Sequence, residues 1–348
     1  TALTYLSCYS NQLTSLDVRN GNNTNFTFFY STNNPDLTCI FVDDAAYSNT
    51  NWTDIDATAT FVNNEAECEA LNTTAIPDSN FEQALIDLGY DTAPINGSVP
   101  TANISGVTSL DVSNNNIADL TGIEDFIALI ILDCRSNQLT SLDFSNNTAL
   151  TYLNCSSNQL TSLDVSNNTA LTNLNCRSNQ LTSLDFSNNT ALIYLYCYSN
   201  QLTSLDVSNN TALTILRCYS NQLTSLDVSN NSALIELNCY SNQLTSLDVS
   251  NNTALTTLWC DYNQLTSLDV RNGNNTNFTD YDSTDNPDLI CIFVDDASYS
   301  TTNWTDIDPA STFVNNEAEC EALNTTAIPD SNFEQALIDL GFDTAPIN

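Results

Sequence analysis

The sequence predicts a β-rich solenoid, a stack of coils with short parallel strands, and three observations carry that expectation. A 21-residue unit recurs without interruption: from Thr148 the chain reads TALTYLNCSSNQLTSLDVSNN, and variants follow to about Asp269. In each unit the apolar residues keep fixed places, as at Leu150, Leu153, Cys155, Leu160, Leu163 and Val165. One such unit cannot bury its apolar face alone, so a fixed short period means stacked coils. Above it runs a period of 252 residues, twelve short ones: residues 1–96 align without a gap to 253–348 and match at 81 of 96 positions.

Within a coil, Leu153-x-Cys155 and Leu163-x-Val165 alternate as strands do, with the apolar members inward. Asn158 stands where the chain must turn. Its equivalents Asn137, Asn179, Asn200, Asn221, Asn242 and Asn263 are expected to stack as a ladder that satisfies turn backbone groups. The second bend carries Asn167-Asn168-Thr169, again a turn composition.

The pattern L-x-x-L-x-C-x-x-N-x-L, read from Leu150 to Leu160, resembles the leucine-rich-repeat signature with Cys in place of the third Leu. The chain resembles the short-repeat extracellular proteins of bacteria, including the internalin-like type. The run Ile117-Ala-Asp-Leu120-Thr-Gly-Ile123-Glu-Asp-Phe126 has the apolar spacing of that type. The likeness covers about 107–290 and again 1–38, and it implies a leucine-rich-repeat solenoid with an interaction role, without naming a ligand.

A solenoid needs its ends covered. Ile76–Gly89 reads as a short amphipathic helix, with Ser79 and Glu82 at capping-box spacing, Phe81, Leu85 and Leu88 on one face, and Gly89 as the stop. It recurs at Ile328–Gly341 and resembles the helical N-terminal cap of such proteins. Asn34–Asp44, leading to Trp52, breaks the register and recurs at Asn286–Asp296 and Trp304, as an irregular C-terminal cap would. The expected organisation is therefore 1–72, the last coils and cap of one unit; 73–324, a whole unit with cap 76–89, repeats 107–285 and cap 286–324; and 325–348, the next N-terminal cap. No Gly/Ser-rich or Pro-rich linker separates them, and both ends read as cuts within a longer sequence.

The twelve cysteines fall into two populations. Cys8, Cys134, Cys155, Cys176, Cys197, Cys218, Cys239 and Cys260 take one inward position in successive coils, about 4.8 Å apart and with parallel side chains, which suits free thiols packed as small hydrophobes. Metal ligation is the sharper alternative, but no CxxC spacing or His accompanies them. Cys39 and Cys68, recurring as Cys291 and Cys320, flank the C-terminal caps, and a disulfide closing each cap is expected, in keeping with an oxidising compartment.

Residues between the buried strand positions form the candidate binding face: Arg135, Tyr152, Arg177, Tyr194, Tyr196, Tyr198, Arg217, Tyr219, Tyr240 and Trp259. Exposed Tyr, Trp and Arg are the composition of a binding surface for glycan or protein. Equally, aromatics simply suit strand surfaces. A second row, Asp143, Asp164, Asp185, Asp206, Asp227, Asp248 and Asp269, stacks like charges that need relief. Hydrogen bonds from turn groups would give it, or Ca²⁺ along the row, with Asp164, Asp185 and Asp206 as the candidates. N-x-[ST] triplets, as at Asn25, Asn51, Asn167 and Asn303, coincide in the repeats with the turn. Asp-Thr-Ala and Asp-Ser-Thr look like a bacterial O-glycan acceptor pattern and mark Thr92, Ser283 and Thr344.

Composition limits the rest. Five Lys+Arg, all Arg, against 42 Asp+Glu give a net charge of −37, which argues against nucleic acid and anionic membranes. The apolar periodicity argues against disorder despite that charge. No stretch reads as a membrane span. Without His or Lys, and with seven Gly in all, the chain lacks a triad base, a Schiff-base amine and a phosphate loop, so a non-enzyme is expected. The expectation is a secreted or cell-surface structural and adhesive repeat protein, part of a tandem-unit filament contacting copies of itself end to end or laterally. The alternative is a recognition module that binds glycan or a surface protein through its Tyr/Arg face.

Overall fold

The computed structural model describes residues 3–323 and 331–342. The chain packs as two compact units, 1–129 and 130–348. The first therefore holds both the 1–72 segment and the beginning of the 73–324 segment.

In the second unit, three-residue strands stack in parallel at Ile131–Asp133, Tyr152–Asn154, Asn173–Asn175, Tyr194–Tyr196, Ile215–Arg217, Glu236–Asn238, Thr257–Trp259 and Asp280–Asp282. Leu153, Leu174 and Leu195 meet in register, and all are buried. After each ladder cysteine the chain turns through a left-handed residue: Ser136, Ser157, Ser178, Ser199, Ser220 and Ser241 have φ between 52° and 56°. A side chain in that region costs about 1 kcal/mol, and the following Asn holds it there. Asn158 donates to the carbonyls of Cys134 and Cys155 at 3.1 and 3.0 Å and accepts from Leu139 N–H at 3.0 Å. The same pattern repeats at Asn179 and Asn242, which makes the Asn ladder the staple between coils. A second ladder lies at the other bend, where buried Asn189 donates to Val165 O and Asn168 O at 2.9 and 3.0 Å.

The second extended segment of each coil follows the expected alternation, but among the described residues of this unit it forms a strand only at Ser246–Asp248 and Ser267–Asp269. These continue in parallel into Cys291–Phe293 and Thr312–Val314. The C-terminal cap is more regular than its sequence predicts. Helices Ala297–Asn303 and Glu317–Leu323 cover it, the first N-capped by Asp296. Trp304 lies against Tyr281 with ring centroids 4.4 Å apart.

The first unit repeats that cap with Cys39–Phe41, Ala45–Asn51, Thr60–Val62 and Glu65–Leu71. It then runs into the helix Ser79–Asp87. Here the cap differs in detail from the sequence reading. Asp78, not Ser79, is the N-cap, accepting from Asn80 N–H and Phe81 N–H at 2.8 and 3.1 Å. Its other oxygen takes Ala118 N–H and Asp119 N–H, tying the helix to the first repeat. Glu82 is wholly buried and serves a distant loop instead, accepting from Asn96 N–H and Gly97 N–H at 2.6 and 2.8 Å. Phe81 and Leu85 face the core, whereas Leu88 is exposed. Gly89, at φ +81°, takes the left-handed stop. The corresponding helix recurs at Ser331–Asp339.

Candidate functional site: the strand face

On the strand face of the second unit, every second side chain is inward and the intervening ones line up coil above coil. Residues one after the ladder cysteines form a continuous row. Tyr198, Tyr219 and Tyr240 stack with centroids 4.0 and 4.2 Å apart and interplanar angles of 16° and 11°. The Arg177 guanidinium covers the outer face of Tyr198 at 5.3 Å and donates to its hydroxyl. Burial, then the flanking Tyr198 and Tyr240 phenols, push Tyr219 well above the usual phenol range. Trp259 stands beside Tyr240 at 6.4 Å, tilted by 53°.

In the adjacent row, Arg217 lies over Tyr196 at 5.2 Å and pairs with Glu236 at 2.7 Å. Arg135 stands apart, exposed and paired with Asp133 at 3.4 Å. Tyr152 and Tyr194 share a row but are separated by Asn173. The structure thus gathers most of the sequence-derived face into two connected clusters. It also corrects one feature of that reading: the side chains are not uniformly solvent-facing. The tyrosines are half-buried because each ring is the neighbour's packing surface, and Asn154 and Asn238 on the same face are buried.

Beyond Trp259 the face becomes acidic. Partial burial, and then the like charge of Asp282, raise Asp261 to about 6. Asp261 and Asp282 carry no motif, and only the coil spacing brings them together.

The remaining candidates fall out differently. Cys134 through Cys260 are buried free thiols, and Cys8 is a half-buried one. Burial pushes the Cys155 thiol up to about 12, so it stays protonated and packs as a hydrophobe. Cys39 is bonded to Cys68, and Cys291 to Cys320, with Cα–Cα distances of 5.8 and 5.7 Å. In the acidic row, Asp164, Asp185 and Asp206 each accept from the backbone N–H of the serine two residues on at 2.9 Å. Those serine hydroxyls and N–H groups hold the carboxyls below the usual range. Among the described residues no three His, Cys, Asp or Glu side chains converge to hold a metal, so the Ca²⁺ alternative for these three has no chelating cluster behind it.

Ser283 is a correction. It is fully buried, and its hydroxyl accepts from Tyr281 at 3.0 Å, so it cannot receive a glycan in the folded chain. Thr92 is exposed, and Thr344 lies outside the described residues. Among the described residues no helix is long and apolar enough to cross a membrane.

No family model matches the chain. Internalin J of Listeria monocytogenes serotype 4b (strain F2365) is 49% identical over 45 residues, which is 13% of this chain and 5% of that protein. The solved functional domain of InlJ from Listeria monocytogenes, described as including a cysteine ladder, superposes with a TM-score of 0.54 at 34% identity, over 72% of this chain and 65% of that one. Internalin InlF of the same species covers 82% of this chain and 87% of its own at 21% identity, with a TM-score of 0.47. The chain thus spans a small fraction of the curated relative and just under two thirds of the solved InlJ domain. Repeats, cysteine ladder and parallel-strand stack agree: this chain is a leucine-rich-repeat solenoid similar to the bacterial internalins.

Proposed function

We propose that the protein is a non-enzymatic structural and adhesive repeat protein acting outside the cell, a segment of a fibre whose units follow one another without free linkers. The junction inside the first unit carries this reading. The cap helix ends at Leu71, Asn72 stands alone, and the strand Thr73–Ala75 pairs at once with Ser98–Pro100 of the next cap. Thr101 N–H donates to Asn72 O at 2.9 Å, and Thr74 donates to Asp125 at 2.6 Å. A one-residue connection whose carbonyl is held by the next cap, itself closed by that strand pair, leaves little slack for bending, in a way that a flexible linker does not. Electron microscopy of the native tandem protein tests it. Straight rods with a regular unit repeat are expected, becoming jointed when a Gly/Ser stretch is inserted after Asn72. Rods that already bend freely between units would sink the proposal. Contact between parallel fibres would meet charge repulsion, since four of the five Arg side chains already pair with carboxylates within the chain.

A second reading, recognition through the strand face, is favoured by the internal duplication. Of the 15 differences between residues 1–96 and 253–348, seven fall on the strand face and its turn: Tyr5/Thr257, Ser7/Trp259, Tyr9/Asp261, Ser10/Tyr262, Phe28/Asp280, Tyr30/Asp282 and Asn33/Asp285. A constant frame with a changing face is what separate binding specificities require.

A further inference from the structure

The strongest unassigned feature is a cation left over in an acidic protein. Arg19, Arg135, Arg217 and Arg271 each pair with a carboxylate. Arg177, among the described residues, does not; its contacts are the ring and hydroxyl of Tyr198. With 42 acidic side chains in the sequence, a guanidinium without a carboxylate is conspicuous. It is half-buried and parked against an aromatic face, so little freedom is lost when it binds, and its fork suits a carboxylate bidentately.

We propose that Arg177 and the hydroxyl row of Tyr198, Tyr219 and Tyr240 form a subsite for an acidic saccharide, a chain of sugar rings bearing a carboxylate. The proposal deepens the recognition reading and rests on it. Arg177 takes the carboxylate, and the phenols hydrogen-bond the sugar hydroxyls along the coils.

The stacking geometry selects the ligand. At 4.0 and 4.2 Å and nearly parallel, the three rings use one another's faces, which leaves their edges and hydroxyls as the groups a ligand can meet. That makes a row of phenol donors and acceptors whose rings repeat every 4.0–4.2 Å. A polyhydroxylated chain lying along the stack meets such a row. An acidic peptide would need open ring faces or apolar pockets for its anchors, and within the stack those faces are taken.

Charge sets the direction. Among the described residues Arg177 brings the unpaired cation to this stretch of the face, since Asp133 and Glu236 meet the charges of Arg135 and Arg217, whereas Asp261, Asp280 and Asp282 occupy its far end. A polyanion is therefore drawn to the Arg177 end and repelled from the other. The net −37 of the chain does not forbid this, because at physiological salt charges beyond about 8 Å are largely screened.

The test uses the whole 348-residue chain on arrays of uronate- and sialate-bearing oligosaccharides, beside the same sugars with the carboxylate reduced to an alcohol. Reduction, and R177Q, should each weaken binding by about tenfold or more, the loss expected for a charge-assisted hydrogen bond. Y219F, which keeps the ring and removes the hydroxyl, should weaken it severalfold with the melting temperature unchanged. Equal binding by R177Q, or equal binding of the reduced sugars, overturns the proposal. If no acidic saccharide binds but a glutamate-rich peptide does, and R177Q abolishes that, the saccharide assignment falls while the recognition reading survives. If no ligand of either class binds and the chain only assembles into rods, the recognition reading falls with it.

Discussion

Residues 11–20 and 263–272 are the same ten residues, NQLTSLDVRN, in two different settings. In the second, Leu265, Leu268 and Val270 are wholly buried; in the first, Leu13, Leu16 and Val18 are only partly so. The strand around Leu268 has neighbours on both sides, Ser246–Asp248 and Cys291–Phe293, whereas the strand around Leu16 pairs on one side only, with Cys39–Phe41. Burial in this fold is thus a property of stacking, not of the coil's own sequence. Each coil is stabilised by its neighbours in the manner of a one-dimensional array.

The same two regions also differ in what they display. The frame is duplicated faithfully. Arg19 bridges Asp17 and Glu65 over the Phe41 ring, and Arg271 bridges Asp269 and Glu317 over Phe293, so each cap helix is clamped to the last coil in the same way. Above that frame, one copy shows exposed Tyr5, Tyr9 and Phe28, and the other shows Asp261, Asp280 and Asp282. Frame positions answer to packing, and face positions are free to answer to a partner.

The comparison can be broken most forcefully at the caps. Cys291→Ser with Cys320→Ser opens a loop of 29 residues in sequence separation, and the cap should lose about 3–4 kcal/mol, seen as earlier exchange of the Thr312–Val314 amides. The Cys39/Cys68 pair should give the same loss, so a large difference between copies would show that the frames are not equivalent. Leu268→Ala should cost about 3 kcal/mol and Leu16→Ala about 1 kcal/mol, because only the first leaves a closed cavity. Equal costs, read by hydrogen exchange in each coil, would refute the stacking explanation.

Smaller effects sharpen the account of the face. Tyr219→Ala should destabilise its coils by about 1 kcal/mol through lost stacking, whereas Tyr219→Phe should leave thermal unfolding in place. Asp261 gives a pH test with a definite sign. An acid raised in the folded state is penalised when it ionises, so this residue costs stability as pH rises from about 3.9, its unfolded value, through about 6. Asp261→Asn should therefore stabilise the chain at pH 7.5 by about 1 kcal/mol, a figure reduced for the solvent screening of a half-exposed group, and the gain should vanish below about pH 4. The serine-bonded Asp164, Asp185 and Asp206 run the other way. Their lowered values contribute stability above the unfolded carboxyl range that is lost as pH falls.

Much of this was legible from residues alone, and the physical reason is periodicity. A 21-residue repeat with fixed apolar places admits few arrangements, so the coil, the inward cysteines and the Asn staple could be read from Leu150, Leu153, Cys155 and Asn158 without coordinates. What periodicity could not supply was lateral. Asp78 rather than Ser79 caps its helix because its second oxygen is needed by Ala118 and Asp119, forty residues on. Glu82 turns from the helix to a loop, and Ser283 turns from surface to core, for similarly non-local reasons. The tyrosines at 198, 219 and 240 were visible as residues on a face, but their spending of ring faces on one another, with Arg177 at the end, is a consequence of stacking distance. Local chemistry and repeat length determined the coil; which side chains remain free to meet a ligand was decided only when the coils lay one upon another.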